Sequence, residues 1–265
     1  MKLSLCMIAK GELENLKRLY PLVKDHIDEW VVVVPPGDSA VDFLKDKATV
    51  IEKDFTMPIE DDIRKQMLDF EVEVDKSYRL FKFAEARNES FAHATGDYIL
   101  WLDADDNPVG LDTLREYIET RGHVDMFNAL YDYAKDAQDN SVANQYRERV
   151  IKNSKKFTWR GAQLGLIHET VVPNIAYMPV TLEVPRDVFK VVHVKEPGAE
   201  QTSTFRNHVA LLYEYLKTDG ADPRTTYYLG TSFFNLRQYA LCIQTLMKYI
   251  EVGGWDEIVT GKHGF

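Results

Sequence analysis

Asp103, Asp105 and Asp106 place three carboxylates within four residues. Like charges held this close repel and raise one another's pKa. A hard divalent cation removes that cost and prefers oxygen ligands, so Mg2+ or Mn2+ suits the turn, completed by water and substrate phosphates. The competing reading is a solvated acidic turn that caps a helix starting near Leu111, because short acidic motifs often arise without a metal.

The elements around the turn favour the metal. Tyr98 to Leu102 is a short apolar, aromatic-rich run, as expected of a buried strand. It delivers the carboxylates at its carboxyl end, where open α/β sheets bind their ligands. Ahead of it, Phe83, Ala84, Ala86, Phe91 and Ala94 recur at helical spacing, and Gly96 is the helix stop. The first strand is Leu3 to Ala9. A helix over 12–25 follows, with Leu13, Leu16, Leu19, Leu22 and Val23 on one face. Trp30 to Val34 is a second buried strand, stopped by Pro35, Pro36 and Gly37. Asp38 to Leu44 reads as a helix capped by Asp38 or Ser39, and Thr49 to Glu52 as a third strand. This alternation implies α/β architecture, a mostly parallel sheet with right-handed crossovers.

Three pieces in order carry a family resemblance: Ala-Arg-Asn-x-Ser-Phe from Ala86, Ala-Thr-Gly-Asp-Tyr-Ile-Leu from Ala94, and Leu-Asp-Ala-Asp-Asp from Leu102. Together with the opening Leu-Ser-Leu-Cys-Met-Ile-Ala-Lys, they resemble family-2 glycosyltransferases of the GT-A fold, a Rossmann-like sheet flanked by helices. The resemblance covers roughly 1–195. It implies an inverting, metal-dependent enzyme that moves a sugar from a nucleotide diphosphate sugar, with UDP-sugars the first candidates. It implies donor contacts at Ala9, Asp38, Arg87, Asp103, Ala104 and Lys195. It places the metal on Asp105 with Asp103 and His193, the histidine late in the domain. A core role is the competing reading of His193, and an ion pair with an aspartate that of Arg87. Asp103 alternatively holds the donor ribose. Two positions depart from the family. Pro-Pro-Gly-Asp-Ser stands where an Asp-x-Gly-Ser type turn usually holds the base, and Gly11 stands where Asn is common.

The later part of this region, 111–196, should build the acceptor half, after a donor half over 1–110. A helix over 111–121, a strand from Val124 to Tyr133, a polar loop from Lys135 to Asn144 and a strand from Tyr146 to Lys152 are expected. Trp159-Arg160-Gly161 followed by His168-Glu169 resembles a Trp-x-Gly then His-Glu pattern of some bacterial and phage members. Glu169 is the candidate general base for an acceptor hydroxyl, with His168 its competitor. A hydrogen-bonded structural His beside a surface Glu is the plain alternative, and Trp159 either stacks on an acceptor sugar ring or, the favoured reading, is core. Residues 54–78 are a charged insertion, either a loop over the site or a surface excursion.

From Gln201 the character becomes helical, over 201–217, 223–236 and 239–251. This sets a domain boundary between 1–196 and 197–265. Leu229-Gly230-x-x-Phe233, with Cys242 and Leu246, resembles one tetratricopeptide repeat. A truncated array, a helical cap and ordinary helix pairing all fit. The segment suits a protein partner or self-association.

Composition narrows the classes. A net charge of -10 from 32 basic and 42 acidic residues disfavours broad nucleic-acid binding, which needs a basic footprint. The basic stretch Arg147 to Arg160 keeps nucleic acid open as a partner, with a solvated strand face and loop as the favoured reading. Two cysteines in apolar settings, Cys6 and Cys242, read as buried free thiols of a reducing cytoplasm. No run is long enough for a membrane helix or signal peptide. A glycan, a lipid-linked glycan, a peptide and a modified DNA base all remain acceptor classes. A catalytically dead interaction module is the main rival. A nucleotidyltransferase would carry a Gly-rich loop after the first strand, which Met7 to Gly11 lacks.

Overall fold

The computed structural model describes residues 1–135, 141–154, 156–161, 164–174, 177–194 and 199–253. In chain order the elements open with β1 (Leu3–Ile8), α1 (Leu13–Val23), β2 (Glu29–Val34), α2 (Val41–Leu44) and β3 (Thr49–Glu52). Then come β4 (Thr56–Pro58), α3 (Asp61–Met67), β5 (Arg79–Phe81), α4 (Phe83–His93), β6 (Tyr98–Trp101), β7 (Asp106–Val109) and α5 (Leu111–Glu119). The strands β8 (Met126–Lys135), β9 (Ser141–Lys152), β10 (Phe157–Arg160), β11 (Thr170–Pro173), β12 (Thr181–Glu183) and β13 (Lys190–His193) follow. The helices α6 (Ala199–Lys217), α7 (Pro223–Asn235) and α8 (Tyr239–Glu251) come last.

These elements form two compact units. The first comprises Met1–Asp54, Glu85–Trp159 and Thr170–Lys195; the second comprises Phe55–Ala84, Arg160–Glu169 and Glu196–Phe265. Both are discontinuous, whereas the sequence reading draws a single boundary at 196/197. The reason is hydrophobic. Ile59, Ile63, Met67 and Leu80 of the insertion, with Leu166 and Ile167, share a core with Leu211, Leu229 and Phe233 of the C-terminal helices.

The first unit is built on a mixed sheet of order β3-β2-β1-β6-β9-β8-β13-β7, with β12 also paired to β8. β3, β2, β1 and β6 run parallel. β9 is antiparallel to both of its neighbours, β13 is parallel to β8, and β7 is antiparallel to β13. The apolar run of β2 is buried from Trp30 to Val34, as expected of a parallel strand covered on both faces. Leu16, Leu19 and Val23 of α1 and Leu114 and Ile118 of α5 join β1 and β2 in one core. Strand order reverses between β1 and β6, and such a switch point opens a crevice at the carboxyl ends of the strands.

Three local differences from the sequence reading have physical causes. Residues 38–40 are a turn, not the start of α2, because the Asp38 carboxylate accepts the Ala40 and Gly11 N–H groups at 2.9 and 2.8 Å. Gly11 has φ +69°, so the departure from Asn places the least hindered residue at a left-handed position. Asp106 to Val109 is a strand, although it contains Pro108; at the sheet edge the missing N–H is tolerated. β9 begins at Ser141, inside the expected polar loop, whose residues 136–140 lie outside the described ones. The 197–198 boundary and Lys195 also lie outside them.

In the second unit, β4 and β5 pair antiparallel. The three C-terminal helices match the sequence expectation closely. Leu229, Phe233 and Cys242 are buried between them. A Cβ on Gly230 would lie 2.5 Å from Leu246 Cδ2, so the repeat-like glycine marks a close approach of α8 to α7. No helix of the described residues is long and apolar enough to cross a membrane.

Candidate active site

The carboxylates stand at the end of β6, beside β1, at the switch point. Their turn is closed from within. The Asp106 N–H donates to the Asp103 carbonyl at 3.1 Å, and the Asp103 N–H donates to Asp106 Oδ2 at 2.9 Å. Arg18 of α1 braces it from below, with Nη2 donating to the carbonyls of Ala104 (3.0 Å) and Asp106 (3.2 Å).

Two arginines partition the charge. Arg87 of α4 donates to Asp103 Oδ1 at 2.8 Å. Its guanidinium carbon lies 5.0 and 4.9 Å from the ring centroids of Trp101 and Trp159. Burial alone would raise the Asp103 carboxyl, but Arg87, with Arg149 and Arg147 further off, holds it below its ordinary value. Arg149 of β9 donates to Asp106 Oδ2 at 2.9 Å, and both side chains are fully buried. It lies 3.9 Å from the Trp101 centroid and 4.4 Å from that of Tyr131. Burial still raises the Asp106 carboxyl, with Arg149 opposing it and the Asp103 charge adding to it.

Asp105 is the carboxylate without such an arginine. Burial, then the charges of Asp103 and Asp106, push it up to about 7. His193 Nδ1 lies 3.7 Å from Asp105 Oδ2. The register that pairs β13 with β7 sets His193 opposite Asp106, and the Val194 N–H donates to the Asp105 carbonyl at 2.8 Å. Tyr133 stacks on the imidazole, with centroids 5.1 Å apart and planes 5° apart.

Asp105, Asp106 and His193 each offer one ligand atom, and these atoms lie within 4.8 Å of one another. Asp106 Oδ1 is buried and makes no hydrogen bond, although the nearby Tyr131 phenol favours the charged form of this carboxyl. Two carboxylate oxygens and one imidazole nitrogen suit Mn2+ or Mg2+. The cluster thus contains Asp106 where the sequence reading has Asp103, whose Oδ1 is taken by Arg87.

The remaining expected residues are placed as follows. Ala9 is buried, and its N–H donates to the Val33 carbonyl. Asp38 is half-buried and joins two turns, as described. Asn88, beside Arg87, pairs with the Trp159 main chain through both amide atoms, at 2.9 and 2.8 Å. Trp159 is buried and edge-on to Trp101, so it is core as expected. His168 and Glu169 belong to the second unit and are both half-buried.

Sequence reasoning gives no site role to Arg149, Trp101 or Tyr131, and it counts Asp106 in the acidic turn without naming it a ligand. Arg149 carries no alternation signal, because it shares its strand phase with Arg147 and Ile151 while Val142, Tyr146 and Val150 fall in the other. It is fully buried, which corrects the solvated-face reading of that stretch at this position.

The site therefore pairs a switch-point crevice with an acidic turn whose side chains could hold a cation. Residues 52–160 match the sequence model of glycosyl transferase family 2. A TPR repeat-containing protein of Synechococcus elongatus is 33% identical over 129 residues, 49% of this chain; the chain spans 26% of that relative's length. Among solved structures, residues 1–349 of S. aureus TarS with UDP-GlcNAc align with TM-score 0.48 and 10% identity, over 95% of this chain and 79% of that one. Glucosyl-3-phosphoglycerate synthase of Mycobacterium tuberculosis, with Mn2+, UDP-glucose and phosphoglyceric acid, aligns with TM-score 0.44 and 13% identity, over 80% and 78%.

Proposed function

We propose that the protein is a metal-dependent glycosyltransferase that moves a sugar from a nucleotide diphosphate sugar to an acceptor hydroxyl. The observation that carries this reading is the Asp105–Asp106–His193 cluster at the switch point, inside a chain with a family-2 segment. A bound Mn2+ or Mg2+ would neutralise negative charge on the departing diphosphate. Asp105 and His193 would hold the ion, with Asp106 supporting them. Arg87 keeps Asp103 anionic and adds positive charge to the same region. Asp103, so held, is oriented to accept from a donor hydroxyl such as ribose. Glu169 takes the base role and accepts the proton of the attacking hydroxyl. A single in-line displacement by that hydroxyl inverts the anomeric centre. UDP-sugars are the first donors to test, and the acceptor is a glycan, a lipid-linked glycan or a peptide.

Calorimetric titration of UDP, GDP and CDP, each with Mn2+ and with EDTA, tests the reading on the wild type and on Asp105→Ala. Metal-dependent binding of one nucleotide, lost in the variant, is expected. Binding of none of them under either condition overturns it.

A further inference from the structure

We infer that the C-terminal helices serve as the mount of the His168–Glu169 segment, with Glu214, Arg224 and Tyr228 as its positioning residues. The inference rests on the base role proposed for Glu169, and all of its parts lie within the second unit.

Backbone geometry is the first observation. His168 has φ 52°, in the left-handed region. Among the described residues, Glu71, Asp219 and Arg237 share that sign, but each lies within two residues of the end of a helical segment, where a left-handed residue is the usual ending. His168 follows no helix. A non-glycine residue in this region is costly and persists only where its surroundings over-determine it.

The helices supply those surroundings. Arg224 in the first turn of α7 donates from Nη2 to the His168 carbonyl at 3.0 Å. One turn further along, Tyr228 stacks on the His168 ring, with centroids 3.9 Å apart and planes 13° apart. Arg224 also lies 5.7 Å from the Tyr228 centroid, so the two grips support each other.

Glu214 of α6 is the third grip. Its carboxylate is fully buried, which is costly unless its oxygens are engaged. Oε1 accepts the Leu166 N–H at 3.0 Å, and Oε2 accepts the Thr225 hydroxyl at 3.2 Å. One carboxylate thereby ties the segment to the start of α7. The Gly165 carbonyl accepts the Ala84 N–H at 3.0 Å. Gly165 has φ +66°, and a Cβ there would lie 2.6 Å from Ala84 Cβ, so only glycine fits. Leu166 and Ile167 are buried in the helical core. The segment is therefore held through the main chain at Gly165, Leu166 and His168 and through the buried side chains of Leu166 and Ile167, and Glu169 comes next. With the base role proposed for Glu169, the C-terminal helices hold the segment that carries it.

The test separates binding from turnover. UDP-glucose and GDP-mannose are the donor probes, each with Mn2+, with sugar release to water read as nucleoside diphosphate formed. Arg224→Met, Tyr228→Leu and Tyr228→Phe are compared with Glu169→Gln, after melting curves confirm folding. Nucleotide affinity and donor KM should be unchanged in all four. For Arg224→Met and Tyr228→Leu, kcat should fall roughly 10²-fold, the scale of a misplaced catalytic group. Tyr228→Phe, which keeps the stack, should restore it. Wild-type kcat in Arg224→Met and Tyr228→Leu would overturn the inference alone. A wild type that binds nucleotide but cleaves no donor would remove the base being positioned, and the inference with it. A wild type that binds no nucleotide would overturn the proposed function first.

Discussion

The acidic turn and the His168–Glu169 segment are held by different physics. At the turn the fixing groups are charges. Arg87 and Arg149 are buried against Trp101, and each neutralises one aspartate, leaving Asp105 as the carboxylate without a guanidinium partner. At the segment the fixing groups are mainly main-chain hydrogen bonds, a ring stack and a glycine contact, around a strained histidine. Charge suits the cation-binding role proposed for the turn, because the arginines set in advance how much negative charge an ion would meet. Shape suits the aiming role proposed for the segment, because stacking and main-chain bonds fix direction and change little with salt or pH.

The contrast predicts how each region fails. Arg149→Met should be the most damaging single change, because it strands Asp106 uncompensated in the core. Unfolding in urea should show a loss of about 3–5 kcal/mol, the scale for breaking a buried pair. Arg149→Met combined with Asp106→Asn should recover a large part of it. Additive losses would mean that the pair is not the unit that matters.

Asp105→Ala should separate binding from stability. Loss of about 100-fold in Mn2+-dependent nucleotide affinity, or ~2.7 kcal/mol, is expected. The urea midpoint should not fall, since the removed carboxylate has no arginine and is repelled by its neighbours. A large fall would show that Asp105 is structural.

Acid should reach the second unit through His208. This residue is 1% exposed, its Nδ1 lies 2.9 Å from Ser232 Oγ, and burial lowers it to about 4. A histidine depressed in the folded state binds its proton preferentially when unfolded. It therefore contributes stability above the unfolded value near 6.5, which is lost as pH falls from there toward 4. The difference in unfolding free energy between wild type and His208→Gln should shrink across that window by roughly 2–3 kcal/mol.

Gly230→Ala is the mildest test. The new methyl meets Leu246 Cδ2 at 2.5 Å, and α8 must shift or Leu246 must rotate. A cost of about 1–2 kcal/mol in urea unfolding is expected, as for overpacking. A neutral result would mean that the helix pair is looser than the geometry indicates.

Much of the site was legible before any coordinates. The apolar run of β6, the carboxylates after it, and Arg87 on the preceding helix are all local in sequence. Each is fixed by periodicity, strand burial or charge chemistry. The three C-terminal helices were legible for the same reason. Asp106 was not, because its exchange from acidic neighbour to ligand candidate depends on Arg87 taking Asp103 and on the β7–β13 register. Lys195 and residues 136–140 lie outside the described chain, so the sequence expectation for them stands as it was.

The sequence by itself determined the elements: strand and helix positions, the acidic turn at a strand end, and the glycine between the last two helices. These follow from residue types at short spacing, where propensity and burial act directly. Only tertiary structure decided which groups meet. Burial of Arg149 under Asp106, the placing of His193 opposite Asp106, and the joining of 55–84 and 160–169 with the C-terminal helices all link residues far apart in the chain. Hydrophobic burial and strand register set those meetings, and neither is written in any single stretch of sequence.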